Sequence, residues 1–181
     1  MMTQKAQEYA LFMESRNLTH HKDGLLRYGN DILEKEITKE QLAKLNKLLR
    51  ETKLFGYKAY KWQKDYHNAG ATYSERMLIA ANRVGKTFSA AQEVAMHLTG
   101  NYPEWWEGKR FDKPTLVWAG SVTNESSRDI SQKELLGGIG DDEVGTGAIP
   151  KRCIGKVTTR QAGIGGVVDT VKVLHEPTGR Y

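Results

Sequence analysis

Met77-Leu78-Ile79-Ala80-Ala81-Asn82-Arg83-Val84-Gly85-Lys86-Thr87 is the stretch that decides how this chain reads. Its apolar beginning predicts a short strand over residues 76–81. A tight turn follows, and Gly85-Lys86-Thr87 opens a segment of helical composition, Phe88-Ser89-Ala90-Ala91-Gln92-Glu93-Val94-Ala95-Met96-His97-Leu98. Strand, glycine-bearing turn and helix N-terminus in that order form a phosphate-binding loop. Backbone N–H groups and the positive end of the helix face the phosphates of a nucleotide. In such a loop Lys86 reaches the β- and γ-phosphates, and the Thr87 hydroxyl helps hold magnesium. The pattern asks for glycine five places before Gly85, where this chain has Ala80. The bland alternative is a helix N-terminus whose Lys86 is merely solvated.

Working outward, the chain has 181 residues, enough for one domain with a real core and a small appendage. Hydrophobic residues make up 39% of it, and its mean hydropathy is −0.60. No apolar run approaches the roughly 20 residues of a membrane span, and the N-terminus lacks the apolar core of a signal peptide. Cys153, the single cysteine, excludes an internal disulfide and a cysteine-built metal site, and fits a reducing compartment. A net charge of +5 tolerates a polyanionic partner without demanding one, because Lys and Arg are spread along the chain.

Residues 1–54 are expected to be a helical segment, and residues 55–181 the front part of a nucleotide-binding domain. In the first segment, Thr38-Lys39-Glu40-Gln41 has the form of a capping box. Leu42, Leu45 and Leu49 follow at helical spacing. In the second, a helix over about residues 86–99 should stop at Gly100. Thr115-Leu116-Val117-Trp118-Ala119-Gly120 reads as a buried parallel strand. Thr123-Asn124 should cap a helix that runs to about Leu136 and stops at Gly137-Gly138. Residues 137–166 read as loop, and residues 166–176 as a further strand. The alternation of strand and helix predicts a parallel α/β sheet flanked by helices.

Hydrolysis also needs an acidic residue at the end of a second strand, to complete the magnesium shell. Asp141-Asp142-Glu143 and Val173-Leu174-His175-Glu176 are the candidates. Glycines precede the first and only two apolar residues precede the second, so the acidic strand is expected beyond Tyr181. Residues 1–181 alone are then expected to hydrolyse ATP negligibly. Arg83, inside the loop, is placed to act on charge developing at the γ-phosphate. Gln63 beside Trp62 offers an amide that matches the donor and acceptor of an adenine edge. Arg110 and Arg128 are candidates by location for an arginine supplied to a neighbouring subunit. Trp105-Trp106 reads as a packing anchor before a base-stacking platform, and His20-His21 lacks partners at metal-ligand spacing.

Trp62-Gln63, the run from Leu78 to Thr87, and Leu116-Val117-Trp118-Ala119-Gly120-Ser121 before a polar helix together resemble the large subunit of tailed-bacteriophage terminases. The likeness covers about residues 60–136 well and the rest loosely. It implies a RecA-like (ASCE) phosphate-loop ATPase fold, with ATP and magnesium as cofactors. The residues it implies at the nucleotide are Gln63, Ala81, Asn82, Arg83, Val84, Gly85, Lys86 and Thr87. Arg83 and Lys86 take catalytic roles, and Thr87 binds magnesium. The partners it implies are double-stranded DNA, a portal protein, a small terminase subunit and copies of the chain in a ring, in the host cytoplasm with no membrane. The family's nuclease domain, with its acidic metal ligands, has no counterpart in these residues. A non-motor phosphate-loop protein of kinase or switch type, and a helical interaction domain with an accidental Gly-Lys-Thr, are the alternatives.

Overall fold

The computed structural model describes residues 39–138, 143–160 and 165–181. Thr38, the part of the expected helical segment before it, His20-His21 and Asp141-Asp142 lie outside the described residues. The chain divides into two compact units, Met1–Leu49 and Arg50–Tyr181. The described part of the first is carried by helix α1, Lys39–Glu51, on which Leu45 is buried and Leu42 exposed.

In the second unit a 3₁₀ turn, Lys53–Gly56, buries Leu54 and leads to helix α2, Lys61–Ala69. The start of α2 is held by the Gln63 side chain, whose Oε1 accepts the Tyr60 backbone N–H at 2.8 Å. Helix α3, Lys86–Thr99, is the centre of the unit. It buries Ser89, Ala91, Gln92, Glu93, Ala95, Met96 and Thr99, far more than one stripe. It ends at Gly100, whose φ of 73° puts it in the left-handed region and whose N–H returns to the Met96 carbonyl at 2.9 Å. A β-carbon there would lie 2.5 Å from His175 Nε2, so only glycine fits.

Residues 124–136 form a third helical stretch in three pieces. These are α4 (Asn124–Ser126), a π-helical turn (Ser127–Gln132) and α5 (Lys133–Leu136). Thr123 caps it, its Oγ1 accepting the Ser126 N–H at 3.1 Å, and Gly137 with φ 104° stops it. The carbonyls left over at the C-terminus are met by the returning loop. Gly145, Ala148 and Ile149 donate to Leu136, Glu134 and Leu135 at 2.6, 2.8 and 2.9 Å. Gly147 passes so close to Leu135 that a β-carbon has no room.

A 3₁₀ turn, Lys151–Cys153, then feeds strand β1, Ile154–Thr159, which pairs antiparallel with β2, Val168–Val173. Val157 faces Val171 and Thr158 faces Thr170 across the ladder, with a bulge between Ile154 and Val157. The core joins Leu54, Tyr57, Ala91, Ala95, Met96, Trp106, Leu136, Ala148, Ile149, Cys153 and Val173.

The molecule is therefore mixed α/β, and the helices at 86–99 and 124–136 stand where the residues predict them. The parallel sheet is not formed among the described residues. Residues 75–81 and 113–121 form neither helix nor strand and belong to no ladder. A strand needs a hydrogen-bonding neighbour, and these runs have none; Met77, Ile79, Leu116 and Trp118 are 81–88% exposed. The strand expected over 166–176 does form, but its partner is β1, which comes from the stretch read as loop. Gly155 interrupts the β-branched pattern of β1 because Tyr181 lies over it, with a ring carbon 2.5 Å from where a β-carbon would be.

The C-terminal turn is tied to the end of α3 by a backbone hydrogen bond and to Arg152 by charge. Glu176 accepts from Arg152 Nε at 2.6 Å and from Asn101 Nδ2 at 2.7 Å, and its N–H donates to the Thr99 carbonyl. The Arg152 hydrogen bond, helped by Asn101 and opposed by partial burial, lowers the Glu176 carboxyl to about 2. Burial pushes the neighbouring Cys153 thiol up to about 12, so it is a neutral core residue. A depressed carboxyl contributes stability that is complete above its unfolded value of 4.5 and disappears as the pH falls through about 2. Arg152→Met is expected to lower stability at neutral pH by about 1–2 kcal/mol, the range of a partly screened charged hydrogen bond. It should also flatten the loss between those two pH values. Urea unfolding across the acid range checks both.

Candidate nucleotide site

The loop between residues 75–81 and α3 turns through two left-handed residues. Arg83 has φ 61° and Gly85 φ 89°, with Val84 at negative φ between them. Arg83 is the only non-glycine residue with positive φ among the described residues. Alternating handedness turns successive amides toward a common side, the arrangement of an anion-binding nest. The N-terminus of α3 that follows has no side-chain cap. Its first amides and its dipole therefore point along the loop. Lys86 Nζ bends back across the loop and donates to the Ala80 and Ala81 carbonyls, each at 2.6 Å. Its ammonium thus lies over the loop's entry, at the exposed surface. Ala81, Asn82, Arg83, Val84 and Thr87 are exposed around it.

Gln63 comes to this loop from α2. It is buried, and a β-carbon on Gly85 would lie 3.4 Å from its Nε2. With its oxygen on the Tyr60 amide and its nitrogen beside Gly85, Gln63 sits against the loop's last turn. Arg83 makes no hydrogen bond or ion pair among the described residues, so its guanidinium is available.

The other candidates lie elsewhere. Glu176 bonds to Thr99 and Asn101, at the C-terminal end of α3. A helix of 14 residues is about 20 Å long, which separates Glu176 from Thr87 by far more than a metal shell spans. Glu143 is held at the end of the third helical stretch, its carbonyl accepting the Thr146 hydroxyl at 2.6 Å. Arg128 forms a fork with its neighbour Asp129, and Arg110 donates to the Trp106 carbonyl while lying over the Tyr102 ring. Trp106 is buried and donates its Nε1–H to the Lys109 carbonyl at 3.1 Å, as a packing anchor does.

Behind the loop lies a cluster that the sequence reading missed. Glu93, two turns into α3, is buried with three basic partners. His67 Nδ1 approaches Oε2 at 2.8 Å, Arg76 NH2 approaches Oε1 at 2.6 Å and His97 Nε2 approaches Oε1 at 3.4 Å. Burial alone would raise this carboxyl. The hydrogen bonds from His67, His97 and Arg76 overcome it and hold Glu93 far below the usual carboxylate range. A carboxylate only accepts, so His67 Nδ1 carries the proton. Its Nε2 then meets the Tyr57 and Ser89 hydroxyls at 3.0 and 3.1 Å. Ser89, His67 and Glu93 have the spacing of nucleophile, base and orienting acid. Ser89 and His67 are wholly buried, so no substrate reaches them and the trio is structural. One signal in the sequence pointed here: Ser89, Glu93 and His97 recur every fourth residue along the helix.

The chain is 36% identical to the terminase large subunit of Salmonella phage P22, in an alignment of 144 residues that covers 68% of this chain. That alignment spans 29% of the phage protein. No family model matches the chain, and no solved structure does.

The two left-handed glycines at the ends of α3 should respond differently to a side chain. Gly85→Ala meets ordinary space beside Gln63 and is expected to cost about 1–2 kcal/mol from backbone strain alone. Gly100→Ala adds a clash with His175 to the same strain and should cost more. Urea unfolding of the two variants gives the order, and an equal cost would contradict the close packing of His175 on Gly100.

Proposed function

We propose that this relative of the terminase large subunits carries the ATP-binding front of a viral DNA-packaging motor, in which hydrolysis drives double-stranded DNA into a procapsid. The observation that supports this most is the loop itself. A lysine ammonium lies over a turn made by two left-handed residues, at the uncapped N-terminus of a long buried helix. On this reading the amides of residues 82–87 and Lys86 bind the phosphates, and Thr87 holds magnesium. Gln63 supports the loop at Gly85 and is placed toward the adenine side. ATP supplies the phosphoryl group, and this chain's residues position it and balance its charge. The exposed runs 75–81 and 113–121 are the strands of a RecA-like sheet in this proposal, each offering an unpaired edge. Double-stranded DNA, portal protein, small terminase subunit and sister copies in a ring belong to the same proposal, as does action in the host cytoplasm.

Lys86→Ala removes the loop's fixed positive charge. Loss of such a charged partner costs about 2–5 kcal/mol, so ATP affinity measured by calorimetry with magnesium should fall at least about 30-fold. Equal affinity for both proteins would sink the proposal.

Arg83 belongs to the transition state more than to the ground state. Charge that develops on the transferring phosphoryl group rewards an arginine already in place. In hydrolysis-competent protein, Arg83→Ala should lower kcat while leaving ATP affinity within a few fold. A loss confined to affinity would remove Arg83 from that role.

A further inference from the structure

Three segments that control the phosphate loop converge on one buried side chain. The first is the segment entering the loop, which starts at Arg76. The second is α3, which leaves the loop and carries Ser89 and Glu93 one turn apart. The third is α2, which carries Gln63 and His67 one turn apart. The two helices meet with their spacings in step: Gln63 lies beside Gly85, and His67 bonds to Ser89 and Glu93. Arg76 closes the arrangement. Its NH2 donates to Glu93 at 2.6 Å, and its NH1 donates to the Tyr66 carbonyl at 2.7 Å. The guanidinium also lies over the Tyr66 ring at 4.6 Å. Gly70 makes way for it, because a β-carbon there would be 3.0 Å from the Arg76 guanidinium carbon.

We propose that Glu93 is a positioning residue for the phosphate loop. Through His67 and Arg76 its carboxylate sets where the loop's entry, its exit helix and Gln63 stand relative to one another. It touches no nucleotide. Its effect is transmitted by geometry, and a misplacement of about 1 Å at such a loop is enough to impair binding. This role rests on the nucleotide reading above for its consequence, but the coupling of Glu93 to the loop is a property of the fold alone.

The experiment separates the two. Amide hydrogen exchange by mass spectrometry is followed for wild type, Glu93→Gln and Arg152→Met, and ATP affinity is measured on the same proteins. Arg152→Met weakens the opposite end of α3 and serves as a control for general destabilisation. The expected result for Glu93→Gln is an increase of about tenfold in exchange at residues 82–88, with residues 154–173 unchanged and ATP affinity lowered about tenfold. Arg152→Met should leave the loop amides and ATP affinity as in wild type. If Glu93→Gln does not fold, Arg76→Gln, at the partly exposed edge of the cluster, reads the same coupling. Uniform acceleration over the whole unit, or loop amides that do not respond, would overturn the proposal and leave Glu93 a purely structural residue. Absence of ATP binding by wild type, with the local exchange effect present, would overturn the nucleotide reading and not the coupling.

Discussion

A carboxylate buried on α3, that of Glu93, is the constraint around which this unit is arranged. Desolvating Glu93 costs several kcal/mol, and only close, well-directed hydrogen-bonding partners offset that. Arg76, His67 and His97 come from three separate places in the chain to do so. Each must reach the carboxylate, so each fixes the segment that carries it. Aromatic rings close the cluster against water: His67 lies 5.1 Å from the Trp106 ring, and His97 lies 4.9 Å from the Phe111 ring. Water exclusion strengthens the charge contacts in turn. The result is a closed, hydrogen-bonded cluster two turns along α3 from the loop.

Helix α3 then acts as a strut with two different ends. Its N-terminus, beside the loop, has no side-chain cap. Its C-terminus is closed by Gly100 and sealed by His175 and Glu176 from the C-terminal turn. Glu176 is held by Arg152, which continues into β1, so the hairpin is anchored to the end of α3 farther from the loop. Acidic candidates for the magnesium shell in the sequence separate on this geometry. Glu176 is used in structure at one end, while Lys86 and Thr87 stand at the other.

The loop has Ala80 where the phosphate-loop pattern asks for its first glycine. The turn is made at Arg83 and Gly85 instead, and the Ala80 and Ala81 carbonyls receive the lysine. The chain spans 29% of the P22 protein's length in the alignment. The runs on either side of α3 expose alternate apolar residues, Met77 and Ile79 before it and Leu116 and Trp118 after it.

Short-range signals in the sequence determined the ends of α3 at Gly85 and Gly100, the Thr123 cap, the Gly137 stop and the Gly-Lys-Thr step at the loop. Each depends on a few adjacent residues: a side-chain oxygen within reach of an amide, a glycine free to take positive φ, a lysine next to a helix start. Tertiary structure alone decided the rest. The apolar runs at 75–81 and 113–121 have strand composition, but a ladder exists only where a second backbone is present. The pairing of β1 with β2 joins residues across a glycine-broken stretch whose pattern was hidden by Tyr181 packing on Gly155. The cluster joins Tyr57, His67, Arg76, Glu93 and His97. These residues share no motif, because what unites them is the cost of burying one charge, and that cost arises only once the chain has folded around it.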